Sequence, residues 1–113
     1  MENKQLLEAQ YENRASIEQH SIFIEAREWF DKSAGNSYWS ARAFVDGESA
    51  GVFPLEYGYG QHSRAHVLEW LGAYSSLPVG MERMSESELR EAGIVVYWVK
   101  SSVLKREMFK VGA

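Results

Sequence analysis

The sequence predicts an α+β domain of two layers, an antiparallel sheet of about four strands packed on one main helix. Three observations lead there. An Asp46-Gly47 pair sits between two alternating runs, in "YWSARAFVDGESAGVFPL". A helical stripe of Val67, Trp70, Leu71 and Tyr74 follows in "HSRAHVLEWLGAY". The apolar run "IVVYWV" then begins at Ile94. With 113 residues, 45% hydrophobic and 25% charged, the chain makes one domain over 1–113 with material for a single core.

Each element has its own signal. Residues Lys4 to Glu18 are good helix formers, with Leu7, Tyr11 and Ala15 at four-residue spacing. The apolar face is thin, so this N-terminal helix within 1–19 is expected at the periphery, leaning on the domain or mediating self-association. "SIFIEAREWF" alternates, placing Ile22, Ile24, Ala26 and Phe30 on one side and Phe23, Glu25, Arg27 and Trp29 on the other. That is a half-buried strand, and "KSAGNS" connects it to the next.

Asp-Gly at the centre of a two-residue hairpin sets the register that follows. Val45 then faces Glu48, Ala43 faces Ala50, Ala41 faces Val52 and Trp39 faces Pro54. One face collects Trp39, Ala41, Ala43, Val45, Ala50 and Val52; the other collects Tyr38, Arg42, Phe44, Phe53 and Leu55. Leu68 widens the stripe of the main helix. Ser85 and Glu88 form a capping box, and Gly93 ends the short helix they start. The last segment begins apolar on both faces, as an interior or interface strand does, and turns basic.

Composition excludes several functions. No cysteine is present, so disulfides, thiolate metal sites and cysteine nucleophiles are absent. No apolar run approaches the roughly 20 residues that span a bilayer, and the start lacks a basic and apolar leader, so a cytoplasmic protein without membrane contact is expected. The net charge is −4, while residues 94–113 set Lys100, Lys105, Arg106 and Lys110 against Glu107 alone. An acidic body argues against nucleic acid as the partner, because phosphate neutralisation supplies most of that affinity.

Four motifs bear on chemistry. Gly47-Glu48-Ser49-Ala50-Gly51 matches G-x-S-x-G, but it lies on a hairpin and not on a strand-to-helix elbow, so no catalytic residue is assigned. His62 and His66 stand four apart on the main helix, with Glu69 as a third candidate metal ligand, although Ser63 occupies the place of the usual glutamate. The alternative for them is exposed histidines pairing with Glu69. "EYGYGQHSRAH" turns a strand into a helix through glycine, and its open N–H groups with Tyr57, Tyr59, Gly60, His62 and Arg64 form a candidate ligand cradle. The full G-x-G-x-x-G spacing is missing, so a structural turn with the tyrosines beside Trp70 is the first reading. Finally, 13% aromatic residues exceed what one helix covers. Phe23, Trp29, Tyr38, Phe44 and Phe53, with Arg42, are expected on the uncovered sheet face as an interface, unless the N-terminal helix folds over it.

The run "SYWSARAFVDGESAGVFPLEYGYG" resembles small accessory proteins of phages and prophages that carry a VDG turn and a YGYG close. The resemblance spans about the middle third of the chain and carries no catalytic residues. It implies a domain that binds and inhibits host or defence proteins, or sequesters small signalling molecules. The order of helix, three strands and helix is also similar to double-stranded-RNA-binding domains. Those carry a lysine cluster at the last helix, where this chain has Arg64 alone. The expectation is therefore a non-enzymatic, self-associating interaction protein without cofactor that binds a protein partner. A small-molecule or nucleotide binder at the YGYG turn comes second, and a metal-dependent hydrolase third.

Overall fold

The computed structural model describes residues 19–110. The N-terminal helix expected from Lys4 to Glu18 lies outside the described residues. Four strands, β1 (His20–Asp31), β2 (Asn36–Val45), β3 (Glu48–Tyr57) and β4 (Ile94–Ser102), form one sheet in the order β3-β2-β1-β4. Between β3 and β4 run helix α1 (Ser63–Tyr74) and the short helix α2 (Glu86–Glu91). The α+β class is as the sequence predicts.

The sheet is mixed rather than wholly antiparallel. β1, β2 and β3 form the expected meander, whereas β4 pairs parallel to β1. The reason is the crossover. α1 returns the chain along the sheet, so β4 enters from the same end as β1 and must run beside it in the same sense. β4 is thereby an edge strand, not an interior one.

The β2–β3 turn follows its local chemistry. Asp46 has φ 52° and Gly47 φ 84°, the left-handed pair that a two-residue hairpin requires. The Asp46 carboxylate accepts from the Ser21 backbone N–H at 2.9 Å and meets His20 Nδ1 at 2.6 Å, fastening the hairpin tip to the start of β1. Ser85 and Glu88 form the expected capping box, at 3.2 and 3.1 Å, and Gly93 ends α2.

The register departs from expectation beyond the turn. Val45 pairs with Glu48, but Ala43 pairs with Gly51, Ala41 with Phe53 and Trp39 with Glu56. Two bulges interrupt β3, one at Ala50 and one at Pro54-Leu55. A Cβ on Gly51 would lie 2.9 Å from Trp70 Cζ3, so the first bulge sets the residue without a side chain under the indole. Pro54 donates no ladder hydrogen bond, which suits it to the second. The consequence is a change of side: Phe53 belongs to the core face, and Val52 points out.

The core lies between α1 and one sheet face. Ile22, Ile24, Ala26, Ala41 and Ala43 of the sheet and Val67, Leu68 and Leu71 of α1 are fully buried. Small residues on β1 and β2 let the helix approach closely. Met81, Leu89 and Ile94 close the end of this layer. Besides Ala50 and Val52, displaced by the first bulge, two expected members miss it: Tyr74 and Phe30 are exposed, both at element ends beyond the reach of the facing layer.

The basic C-terminal segment does not continue the sheet. After Ser102 it turns back and crosses the second face as a 3-10 helix, Lys105–Lys110. Met108 is fully buried there over the fully buried Ser40, whose hydroxyl lies 4.0 Å from its sulfur.

Candidate functional site

The strand register sorts the second face into rows. Tyr97, Phe23 and Phe44 stand side by side across β4, β1 and β2, with Ser49 beyond. The next row is Val99, Glu25, Arg42 and Val52. Then come Ser101, Arg27 and Ser40, and at the far end Trp29, Tyr38 and Tyr57.

Among the described residues, the chain covers half of this surface itself. Arg27 Nη1 donates to Glu107 O at 2.7 Å, Met108 seals Ser40, and Lys105 Nζ lies 5.3 Å above the Trp29 ring. Trp29 stacks on Tyr38 with centroids 5.4 Å apart, and Tyr57 meets Tyr38 edge-on. These contacts occupy the third and fourth rows. Along the first two, Phe23 is 39% exposed, Val99 49%, Val52 56% and Tyr97 58%. Phe44 leans on Phe23 at 6.1 Å, and the Arg42 guanidinium lies 5.2 Å over the Phe44 ring. Such a placement holds the arginine flat over the aromatic row. Glu25 pairs with Arg27 at 3.1 Å, and the open rows present apolar surface around the Arg42 side chain.

Of the six interface candidates, Phe23, Arg42 and Phe44 stand on the open half. Trp29 and Tyr38 stand at the covered end. Phe53 is a correction: it is buried on the opposite face, between Trp39, His66 and Trp70, because the bulge at Ala50 reverses its side. Tyr97, Val99 and Val52 were not among the candidates. The two-sided apolar character of β4 was the available signal for the first two. Nothing local marked Val52.

Compared with known proteins, the chain matches no family model, no curated protein and no solved structure.

The glycine bend makes the strand-to-helix turn of the first reading and does not leave the Gly60 N–H open for the alternative ligand cradle. Gly58 has φ 127° and makes the swing from β3 toward α1. Gly60 N, however, donates to Glu28 Oε2 at 2.5 Å, and Glu28 Oε1 lies 3.4 Å from Lys100 Nζ. An internal carboxylate already takes the place an anionic ligand would have. The remaining candidates diverge. Tyr57 packs on Tyr38, Tyr59 meets the His62 ring edge-on at 6.0 Å, and Arg64 lines a separate groove with α2 and β4. Neither tyrosine packs beside Trp70, which contacts Phe53 and Tyr74 instead.

The histidines likewise separate. His66 sits edge-on against Trp39 at 5.1 Å and Phe53 at 5.6 Å, while His62 pairs with Tyr59. Among the described residues no three His, Asp or Glu side chains group as metal ligands, so His62, His66 and Glu69 do not assemble. Ser49 of the G-x-S-x-G stretch accepts from Arg42 Nε at 3.3 Å on the exposed hairpin. Among the described residues no helix is long and apolar enough to cross a membrane.

Proposed function

We propose that the protein is a non-enzymatic interaction protein that binds and inhibits a host or defence protein, docking it on the open half of the second sheet face. One observation carries this reading. Tyr97 and Phe23, with Val99 and Val52 beside them, stay exposed and the half-buried Phe44 continues their row, while the C-terminal turn covers the other half of the same face. Aromatic rings around an arginine are the residue types concentrated at the centres of protein interfaces. A contiguous apolar surface of this kind associates unless something covers it. The likeness to phage accessory proteins supports a host or defence factor as the occupant, and the same surface supports self-association in its absence.

Phe44→Glu is the test, because it sets a carboxylate among Phe23, Tyr97 and Arg42. Light scattering across a concentration series is expected to show wild-type mass rising above the 12.9 kDa of one chain, with the variant staying at it. Affinity capture from host lysate is expected to retain a stoichiometric partner on wild type and lose it on the variant. A wild type that stays monomeric and captures the same proteins as Phe44→Glu would sink the reading.

A further inference from the structure

We propose that the outer edge of β4, together with Arg64 and Arg90, is a docking groove for an extended acidic segment of a partner protein. This surface adjoins the open sheet face at Tyr97 but does not rest on the function proposed for that face.

β4 ends the sheet on its side. Two hydrogen bonds establish which of its main-chain groups point inward. Gly93 O accepts from His20 N at 2.7 Å, and Val103 N donates to Glu28 O at 2.8 Å. Strand parity is two, so the odd-numbered residues between them bond to β1, and the N–H and C=O groups of Val96, Trp98 and Lys100 turn outward. Among the described residues no strand pairs with that edge. Such a row is a template for an added strand.

The two edges of the sheet differ. β3 carries Pro54 and two bulges, both of which blunt an edge. β4 pairs with β1 without a break in register and holds no proline. Beside it lies a groove of about 260 Å³ lined by Arg64, Glu86, Leu89, Arg90 and the strand from Ile94 to Tyr97. Neither guanidinium has a hydrogen bond or ion pair among the described residues. Two unpaired guanidiniums against one carboxylate, next to open backbone groups, match a strand that carries carboxylate side chains. A second copy of β4 matches poorly. Its one charge is Lys100 and it has no acid, so antiparallel self-pairing about Val96 or Trp98 brings that lysine toward the two arginines.

The test uses the full chain, isotope-labelled for amide exchange, and two capped peptides of about eight residues, the length of an ordinary strand. One alternates valine with glutamate and the other valine with lysine. The glutamate peptide is expected to slow exchange at Val96, Trp98 and Lys100 and to bind about tenfold more tightly than the lysine peptide, or better. Arg64→Gln combined with Arg90→Gln is expected to abolish that preference. N-methylating the strand-facing amides of the glutamate peptide should remove binding to the unaltered protein, which tests the backbone pairing without any protein variant. Phe44→Glu should bind the glutamate peptide as wild type does, so failure of the sheet face and failure of this edge are distinguishable. Equal binding of both peptides, no binding, protection along β3 instead, or the three amides already protected before peptide is added would each overturn the proposal.

Discussion

A methyl group on Gly60 would lie 2.8 Å from Lys100 Cδ and 2.9 Å from Glu28 Cβ. The lysine end can swing aside, but Glu28 Cβ is fixed to β1, so the position demands glycine for space. Gly60→Ala is expected to destabilise by about 1–3 kcal/mol, read from urea melts, as overpacking does. A second residue carries the pH dependence. The His20 side chain, and after it the Ser21 backbone N–H, hold the Asp46 carboxyl below its ordinary value of 3.8. A carboxyl lowered in the folded state adds stability above its unfolded value and loses it as pH falls through the lowered one. Asp46→Asn keeps a residue that tolerates the left-handed turn while removing the charge. The melting-temperature gap between wild type and variant is therefore expected to be present above pH 3.8 and to close as pH falls below it. A gap that persists at acid pH would show that the carboxylate charge contributes nothing.

β3 is the element whose reading from sequence and whose structure differ most. A regular hairpin would bury Val52 and expose Phe53; the bulge at Ala50 does the reverse. Alanine substitution separates the two registers. Phe53→Ala is expected to destabilise by about 3–5 kcal/mol, as deletion of a buried ring does, and Val52→Ala by under about 0.5 kcal/mol. Comparable losses would speak for the unbulged pairing. The turn itself was legible because Asp46 and Gly47 determine it between them. The bulge was not, because its cause is the indole of Trp70, which reaches Gly51 only once α1 is packed on the sheet.

At the scale of the whole molecule, the C-terminal turn is what closes part of the second face among the described residues. Met108 is the plug: fully buried, over Ser40, at the boundary of the open rows. Met108→Ala is expected to destabilise by about 2–5 kcal/mol and to raise self-association by uncovering the third row. Denaturant melts and light scattering read the two effects separately, and an unchanged mass would detach the turn from any role in limiting the face. The candidate site was legible in part. Phe23, Arg42 and Phe44 follow from strand alternation alone, whereas Tyr97 joins their row only because the crossover lays β4 beside β1.

The amino-acid sequence by itself determined the strands of the meander, the left-handed hairpin turn, the cap of α2 and the helix that covers the sheet. Each depends on side chains within a few residues of one another or on a repeating apolar period, and those are local properties of a chain. The tertiary structure alone decided that β4 runs parallel at an edge, that Phe53 turns inward, that Glu28 fills the glycine bend, and that half of the aromatic face is closed. Those outcomes rest on pairs far apart in sequence, such as Arg27 and the Glu107 carbonyl, 80 positions apart, whose contact exists only after the layers have packed.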